Sequence, residues 1–244
     1  MTRIDSYEDL ADNIVGWLKD YYWMHNVKAF VVGVSGGIDS AVVSSLCART
    51  GLPTYVVCMP LESKFENTKL SDAHSRALVE KYDNVKRIEV ELFSAYDSLI
   101  KSIEWWSEAQ HFDRKEFTSS DHAKANTKSR MRMVTLYQIA GSVGGIVVGT
   151  GNKVEDYGVG FYTKYGDGGV DIAPIADLYK TEVWELGEYL EVDQRIVDAD
   201  PTDGLWIDSR SDEEQLGASY AELEEAMETG TGPAVEVLKK FNTQ

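Results

Sequence analysis

Gly33-Val34-Ser35-Gly36-Gly37-Ile38-Asp39-Ser40 joins an apolar run at 28–34 to a stretch with helical spacing at 38–49. The run has the composition of a parallel strand that is buried on both faces. Glycines after such a strand let the backbone turn sharply and bring successive N–H groups close to an anion. The positive end of the following helix points to the same place, and Ser35 and Ser40 add hydroxyl donors. The octapeptide therefore predicts a phosphate site, and Asp39, which bare phosphates would repel, predicts a bridging Mg²⁺.

This octapeptide differs from two common phosphate-binding loops. It has neither the Gly-Lys-Ser/Thr of a Walker loop nor the G-x-G-x-x-G of a dinucleotide-binding turn. It resembles the S-G-G-x-D-S loop of the ATP pyrophosphatases, which bind the pyrophosphate of ATP and cleave between the α and β phosphates. An ordinary Gly-Ser turn at the end of a strand is the alternative interpretation. A strand before the loop and a helix after it favour the ATP loop.

Apolar runs and helical stretches alternate along the rest of the chain, and together they predict the fold class. Ser6 as N-cap begins a helix toward Met24, and Asn67 is the expected N-cap of another through Tyr82. Further strands are predicted at 54–59, 85–92 and 145–149, and further helices at 94–109, where Leu99, Ile103 and Trp106 share a face, and at 128–140. Strands alternating with helices imply right-handed crossovers, so we expect an α/β fold with a doubly wound parallel sheet, similar to the Rossmann-like adenine nucleotide alpha hydrolases. The whole chain, 1–244, is predicted to be one domain, with a mobile loop at about 110–124 and an acidic helical part at 191–244.

The charge balance restricts the classes of partner. The chain has 24 Lys and Arg against 41 Asp and Glu, a net charge of −17, which argues against a nucleic-acid-binding surface. Residues 191–230 alone hold 13 acidic and 2 basic residues. A solvated helical surface is the simpler interpretation of this segment. Salt adaptation or a basic partner is the alternative, and the sequence does not separate them.

Three features bear on where the protein works. The first residues contain no basic-then-apolar leader. The uncharged stretch 133–152 contains five glycines and is a poor membrane span, so we expect no membrane partner. Cys47 and Cys58, predicted inside a helix and a strand, are too few for a disulfide framework and lack zinc-ligand spacing. These features predict a cytoplasmic location.

Several further motifs follow the phosphate loop in the order that is seen in NAD synthetases. They are Asn126-Thr127-Lys128-Ser129-Arg130-Met131-Arg132-Met133, Gly149-Thr150-Gly151-Asn152-Lys153-Val154-Glu155, Phe161-Tyr162-Thr163-Lys164-Tyr165-Gly166-Asp167-Gly168-Gly169, Pro174-Ile175-Ala176-Asp177-Leu178-Tyr179-Lys180, Pro201-Thr202-Asp203-Gly204-Leu205-Trp206 and the stretch DEEQLGASYAEL at 212–223. The resemblance extends from about residue 9 to residue 225. An ordered series of motifs is far more specific than one glycine loop.

The resemblance implies a ligase. NAD synthetases transfer AMP from ATP to the nicotinate carboxylate of deamido-NAD and release pyrophosphate, after which ammonia displaces AMP. Since a carboxylate is a poor electrophile, its coupling to AMP supplies a good leaving group. Catalysis is then expected to come from positioning and from neutralising phosphate charge, without a protein nucleophile. The four histidines show no metal-ligand spacing, and none is needed.

The resemblance also assigns residues to the ATP half of the site. It implies that residues 33–40 hold the phosphates and that Asp39 and Glu155 are the magnesium ligands. Thr150 and Thr202 match ATP contacts, and Lys180 matches a phosphate-binding lysine. From position alone, Glu155 is an ordinary acid in the first turn of a helix, and Lys180 is a solvent-facing helix residue.

Other residues match the family's deamido-NAD contacts: Arg130, Lys164 and Asp171. Two cations suit an anionic dinucleotide, and Asp171 would accept hydrogen bonds from hydroxyls or help to place ammonia; Tyr137 and Asn126 are weaker candidates. In a neutral interpretation Arg130 is simply a polar position on an amphipathic helix. The family is homodimeric with this site at the subunit interface, so we expect a homodimer buried through the helices near 126–141.

The chain departs from the family pattern in two ways. The chain has no room for the glutaminase domain of larger relatives, so free ammonia is the expected nitrogen donor. It ends without the His-Lys pair that closes over deamido-NAD in many relatives.

Three alternative functions are compatible with the same loop. One is another amidating or adenylating enzyme, similar to the synthetases of GMP or asparagine, but these lack the Thr-Lys-Tyr-Gly-Asp-Gly-Gly stretch. A tRNA-thiolating relative would need reactive cysteines, and a regulator that holds ATP without turnover would not need Glu155 or Arg130.

Overall fold

A parallel sheet forms the centre of the computed structural model, which describes residues 4–62, 65–113, 115–202 and 211–242. Within these ranges the strands are β1 (Phe30–Gly33), β2 (Thr54–Cys58), β3 (Val85–Glu89) and β4 (Ile146–Val148). Their order in the sheet is β3-β2-β1-β4, and every pairing is parallel. The predicted doubly wound α/β sheet is therefore confirmed.

Helices alternate with the strands in the first half of the chain and make up most of the described C-terminal part after Tyr179. They are α1 (Tyr7–Met24), α2 (Ile38–Arg49), α3 (Phe65–Lys81), α4 (Phe93–Ala109), α5 (Asp121–Val143), a π-helix (Val154–Val159), α6 (Lys180–Tyr189), α7 (Gln194–Val197), α8 (Asp212–Leu216), α9 (Tyr220–Thr229) and α10 (Val235–Asn242). No helix in this part of the chain is both long and apolar enough to cross a bilayer.

The central strand β1 is buried on both faces, as its apolar run predicts. Successive side chains of a strand point to opposite faces. Phe30 and Val32 belong to a core that includes residues of α1, α2 and α6, whereas Val31 packs on the other face with Val147 and with Ala140 of α5. Cys47 and Cys58 are buried and free, one in α2 and one in β2, as predicted. The sheet is thus the middle of three layers.

The strand order creates a crevice beside β1. The chain runs from β1 outward through β2 to β3 and then returns to the opposite side of β1 as β4. At such a switch point, the loops after the two central strands separate and leave space outside their carboxyl ends. The octapeptide 33–40 follows β1, and Gly149-Thr150-Gly151 follows β4. Both predicted ATP segments therefore lie at the same edge of the sheet.

Two predicted boundaries are wrong. Asn67 is not an N-cap, because α3 begins at Phe65 and the side-chain amide of Asn67 instead donates to Thr202 Oγ1 at 3.3 Å. The predicted loop at 110–124 ends at residue 120, since Ser120 Oγ accepts from Ala123 N at 3.3 Å and caps α5. A serine followed by an aspartate is a helix-start signal that the prediction overlooked. Mobility of the remaining loop stays a prediction.

A buried histidine yields a test of the packing between α2 and α3. His74 lies in α3, is 6% exposed, and its Nε2 is 3.0 Å from Ser44 Oγ of α2. Burial lowers the pKa of His74 from 6.5 to about 4. The folded chain therefore resists protonating this ring, whereas the unfolded chain accepts a proton at the ordinary pKa.

We expect the free energy of unfolding to fall as the pH drops from 6.5 toward 4, because the unfolded state binds the proton of His74 first. At about pH 4.5, the protonation of His74 in the unfolded state should lower the free energy of unfolding by about 2 to 3 kcal/mol. Urea unfolding at about pH 7.5 and pH 4.5 measures it. His74→Gln is the matched control, since it cannot take up a proton, and its loss of stability should be smaller by this amount. An equal pH dependence in the two chains would contradict a buried neutral imidazole.

Candidate active site

The octapeptide forms a turn that two serine hydroxyls hold in shape. Ser40 Oγ donates to the carbonyl oxygen of Gly37 at 2.9 Å and accepts from Ser35 N at 3.2 Å. Ser35 Oγ accepts from Gly37 N at 3.2 Å. The first-turn amides of a helix have no partner within the helix, so the start of α2 presents donors to this turn. The geometry suits a phosphate group.

Gly36 fixes the loop against α3. Its φ is +94°, and a Cβ there would lie 2.4 Å from the carbonyl oxygen of Asn67 and 3.1 Å from Ser71 N. Ser71 Oγ also donates to the carbonyl oxygen of Val34 at 2.7 Å. Only glycine combines this backbone conformation with such a close approach. The loop is therefore held from two sides, by its own serines and by the backbone of α3.

Three charged side chains from distant parts of the chain meet at the carboxyl edge of the sheet. Lys180, the first residue of α6, donates to Asp39 Oδ2 at 2.6 Å and to Glu155 Oε1 at 2.9 Å. Its side chain is 2% exposed, so the interpretation of Lys180 as a solvent-facing residue is wrong. Asp39 belongs to the octapeptide 33–40 and lies in the first turn of α2, and Glu155 lies in the π-helix after β4. The sequence assigned all three to one site, and the structure brings them into contact.

Asn152 aligns the two carboxylates. It is completely buried, and its Nδ2 donates to Asp39 Oδ1 at 3.0 Å. Its Oδ1 accepts from Val154 N and Glu155 N, both at 3.1 Å, and so caps the start of the π-helix. One amide thus ties the acid after β1 to the helix that carries the acid after β4. The residue belonged to a predicted motif, but the sequence analysis assigned it no role of its own.

The ionisation of the three charged residues is strongly coupled. Burial disfavours the charged form of Lys180, but the charges of Asp39 and Glu155 outweigh burial and raise its pKa. Burial likewise opposes ionisation of Glu155, yet the charge of Lys180 and hydrogen bonds from Lys180 and Tyr220 lower its pKa. For Asp39 burial prevails, and with the charge of Glu155 it raises the pKa in spite of Lys180. The ionised form of both carboxylates is therefore stabilised by one shared positive charge, that of Lys180.

The donor set fits Mg²⁺. Both carboxylates already converge on one cation, the ammonium of Lys180, and each is less than one-fifth exposed. Mg²⁺ in nucleotide enzymes is typically bound by one or two carboxylates together with substrate phosphates. The described residues contain no group of three or more His, Cys, Asp or Glu arranged for a metal. A site of two carboxylates beside a phosphate loop is thus suited to a metal that arrives with the nucleotide.

The predicted pyridine-nucleotide residues lie where α5 meets segment 161–169. Asn126 Oδ1 accepts from Thr163 Oγ1 at 2.7 Å, and Ser129 Oγ donates to Asp167 Oδ1 at 2.6 Å. Arg130 Nε donates to the carbonyl oxygen of Lys164 at 3.1 Å. Two motifs that are more than 30 residues apart in the sequence therefore form one surface. Arg130 and Lys164 both lie on its exposed side.

Asp171 follows segment 161–169 and contacts α5 at Tyr137, two helical turns after Arg130. Its Oδ1 accepts from Tyr137 Oη at 3.1 Å, and its Oδ2 accepts from Val147 N at 2.8 Å. Burial and the charge of Asp171 raise the pKa of Tyr137 to about 12, so the phenol stays a donor. Seven residues separate Arg130 from Tyr137, which corresponds to about 10 Å along the helix. The predicted substrate residues thus line an elongated surface.

The two predicted threonines occupy different positions at the sheet edge. Thr150 is half-buried in the turn after β4. Thr202 Oγ1 is held by Asn67, the residue whose carbonyl packs against Gly36. The other residues of its motif, 203–206, lie outside the described residues. The structure therefore connects Thr202 to the phosphate loop through α3.

Two supporting residues from the acidic C-terminal part went unpredicted. Tyr220 Oη donates to Glu155 Oε1 at 2.7 Å, and Glu224 accepts from Thr181 N at 3.0 Å and from Thr181 Oγ1 at 2.6 Å. Both lie in α9. The sequence analysis noted that this stretch resembles the family but assigned no role to either side chain. Neither the helical spacing nor a local motif indicates contacts that span more than 40 residues.

The fold and the geometry of the site together define an α/β protein with a crevice suited to a nucleotide at the switch point of its sheet. Residues 10–243 match the NAD synthase family. The NH(3)-dependent NAD(+) synthetase of Carboxydothermus hydrogenoformans is 35% identical over 239 residues, which cover 97% of this chain and 92% of that protein. The chain belongs to the NAD synthase family.

Two solved structures resemble this fold closely. NMN synthetase from Francisella tularensis superposes with a TM-score of 0.83 at 32% identity, covering 98% of this chain and 93% of that one. NH3-dependent NAD synthetase from Campylobacter jejuni gives a TM-score of 0.75 at 24% identity, covering 98% and 94% of the two chains. The second likeness supports the fold alone. Both likenesses cover nearly the full length of this chain.

Lys180→Met should destabilise the chain, because it leaves Asp39 and Glu155 buried without their shared counter-charge. Breaking a buried ion pair on one side costs about 3 to 5 kcal/mol. Urea unfolding at neutral pH should show a loss of this size, and MgCl₂ should restore part of it. Lys153→Met is the matched control, since Lys153 lies over the ring of Tyr179 at 4.2 Å and joins neither acid in the described contacts. Equal losses in the two variants would contradict the assigned charge balance.

Proposed function

We propose that the chain makes NAD from deamido-NAD, ATP and free ammonia, the last step of NAD biosynthesis. The observation that carries the proposal is the convergence of Asp39, Glu155 and Lys180 beside the loop 33–40. Family membership supports the reaction. The convergence of the three residues supports its proposed location beside the loop. The GMP- and asparagine-synthetase-like alternatives are not favoured, since the family match covers almost the whole chain.

In the first half-reaction, a carboxylate oxygen of the nicotinate attacks the α-phosphorus of ATP, and the bond to the β-phosphate breaks. The amides and hydroxyls of residues 33–40 bind the departing pyrophosphate, and Thr150 and Thr202 contact the rest of ATP. Asp39 and Glu155 would hold Mg²⁺, which supplies positive charge next to the phosphates. Lys180 keeps these carboxylates together and adds its own charge nearby. Such electrostatic stabilisation is the main source of catalysis in phosphoryl and nucleotidyl transfer.

In the second half-reaction, ammonia attacks the carbonyl carbon of the adenylate, loses a proton, and AMP leaves with the bonding electrons. Arg130 and Lys164 are the proposed partners of the anionic pyridine nucleotide. Asp171 would place ammonia or accept from a ribose hydroxyl. Its two oxygens are oriented by Tyr137 and by Val147 N, which supports a fixed position rather than a freely rotating acid.

A homodimer is part of the proposal. Val134 on the outer side of α5 is 60% exposed. An aromatic patch, defined as Trp105, Trp106, Phe112 and Phe117, lies on α4 and the segment that leads to α5, and each of its side chains is at least 46% exposed. Leu99, on the same helix, is 42% exposed. Trp106, Phe112 and Phe117 pack on one another. Large exposed apolar side chains mark interaction sites when they cluster, and they support burial against a second copy. We also propose a cytoplasmic location, which the two free, buried thiols support.

A second candidate substrate deserves a parallel test: the mononucleotide counterpart of deamido-NAD. The observation that favours it is the higher structural likeness to an NMN synthetase, a TM-score of 0.83 against 0.75 for an NAD synthetase. Amidation of nicotinate mononucleotide uses the same adenylation chemistry and the same phosphate loop. The two candidates differ only in whether the site also binds the adenylyl half of deamido-NAD.

Incubation with ATP, MgCl₂, ammonium and deamido-NAD should release equal amounts of AMP, pyrophosphate and NAD. Nicotinate mononucleotide is tested in parallel, and the ratio of the two kcat/KM values identifies the substrate. Asp39→Ala should remain folded by circular dichroism and release no pyrophosphate, because it lacks one of the two proposed metal ligands. AMP formed without any pyridine nucleotide, or a folded Asp39→Ala chain with normal turnover, would overturn the proposal.

Val134→Glu should disrupt the dimer, because it places a charge on the apolar outer side of α5. Sedimentation should give the wild-type chain twice the monomer mass of 27.2 kDa and give the variant the monomer mass. Val79→Glu is the matched control, since Val79 lies on α3 and is 40% exposed. A wild-type chain that sediments as a monomer at micromolar concentration would contradict the dimer.

A further inference from the structure

Tyr220, in the C-terminal part of the chain, contacts the cluster of Asp39, Glu155 and Lys180. It is the first residue of α9 and is 1% exposed. Its hydroxyl donates to Glu155 Oε1 at 2.7 Å, the same oxygen that accepts from Lys180. Its ring lies 5.0 Å from Lys180 Nζ. One side chain therefore contacts both the proposed metal ligand and its counter-ion.

Packing alone does not explain why residue 220 carries a hydroxyl. The ring already packs edge-on against Trp184, with centroids 5.9 Å apart, and belongs to an apolar cluster with Leu216 and Leu223. A phenylalanine would fill this volume without bringing a polar atom into the core. A buried hydroxyl costs free energy unless it finds a partner, and here the partner is a carboxylate. Hydrogen bonds to charged groups are among the stronger ones in proteins.

A second contact connects α9 to the start of α6. Glu224, one helical turn after Tyr220, accepts from both Thr181 N and Thr181 Oγ1. Thr181 directly follows Lys180, so this bond fixes the backbone that carries the lysine. A carboxylate at a helix N-terminus is also favoured by the helix dipole. Helix α9 thus contacts the side chain of Glu155 through Tyr220 and the backbone next to Lys180 through Glu224.

We infer that α9 positions the Glu155–Lys180 pair, with Tyr220 as a positioning residue for the proposed metal ligand and Glu224 as its support. The inference rests on the proposed function, because it gives Glu155 a role toward Mg²⁺ and ATP. It also assigns a role to part of the acidic C-terminal segment, whose charge the sequence left unexplained. Two of its side chains complete the site from outside the sheet.

Tyr220→Phe tests the inference, because it removes one oxygen and keeps the ring. Loss of a charged hydrogen bond predicts a roughly tenfold or larger rise in the Kd of ATP measured by calorimetry with MgCl₂. With EDTA in place of MgCl₂, the Kd of ATP should match that of the wild-type chain. In the assay, kcat should fall by a similar factor and the KM of the pyridine nucleotide should stay within about twofold.

Ser219→Ala is the matched control. Ser219 caps α9 by accepting from Glu222 N at 3.3 Å, and its described contacts do not reach Glu155 or Lys180. The control should lower the Tm while leaving the magnesium-dependent Kd and kcat unchanged. Glu224→Gln, which weakens the contact with Thr181, should reproduce the Tyr220→Phe pattern to a smaller degree.

The outcomes separate this inference from the proposed function. A wild-type chain that releases no pyrophosphate contradicts the function itself. An active wild-type chain with a Tyr220→Phe variant that binds ATP normally in MgCl₂ overturns the positioning role. Equal effects of Tyr220→Phe and Ser219→Ala would reduce Tyr220 to a packing residue. If Tyr220→Phe does not fold, Glu224→Gln decides, and unchanged ATP affinity in that variant overturns the inference.

Discussion

The ammonium of Lys180 between the carboxylates of Asp39 and Glu155 is the interaction on which the rest of the site depends. Each acid follows a different central strand, so their approach joins the two sides of the sheet at its switch point. Without a shared positive charge, two buried carboxylates repel each other and resist ionisation. The fold therefore brings together acids that are stable only with a cation between them.

The sequence was sufficient for the sheet, and the family resemblance named the three charged residues that the structure brings into contact. Uniformly apolar runs such as 28–34 predict buried parallel strands, because both faces of β1 are covered. The turn of residues 33–40 between a strand and a helix was also predictable, since its glycines and serines act within eight residues of each other. Lys180 was assigned through the family resemblance, whereas its position alone favoured a solvent-facing lysine. Its burial follows from partners that are 25 and 141 residues away along the chain.

The error at Asn67 and the omission of Tyr220 have a common physical origin, whereas the cap at Ser120 was a local signal that was overlooked. Asn67 has the residue type of an N-cap, but its side chain contacts Thr202 and its carbonyl packs on Gly36. Tyr220 has the apolar spacing of an amphipathic helix, which predicts its burial but not the acid that its hydroxyl reaches. A side chain with both an apolar body and a polar end satisfies either interpretation. The partner of such a polar group is therefore set by contacts that are distant in the sequence, which local spacing does not predict.

The negative net charge of −17 affects the capture of the substrates themselves. ATP and a pyridine nucleotide are anions, so at long range the protein repels the molecules that it must collect. Attraction begins only within the reach of the amide dipoles, the arginine and the lysines of the proposed site, over a distance of about one Debye length or less. Moderate salt screens the distant repulsion more than the close contacts. Encounter rates should consequently rise with ionic strength before they fall, the reverse of what electrostatic steering produces in enzymes whose surface attracts its substrate.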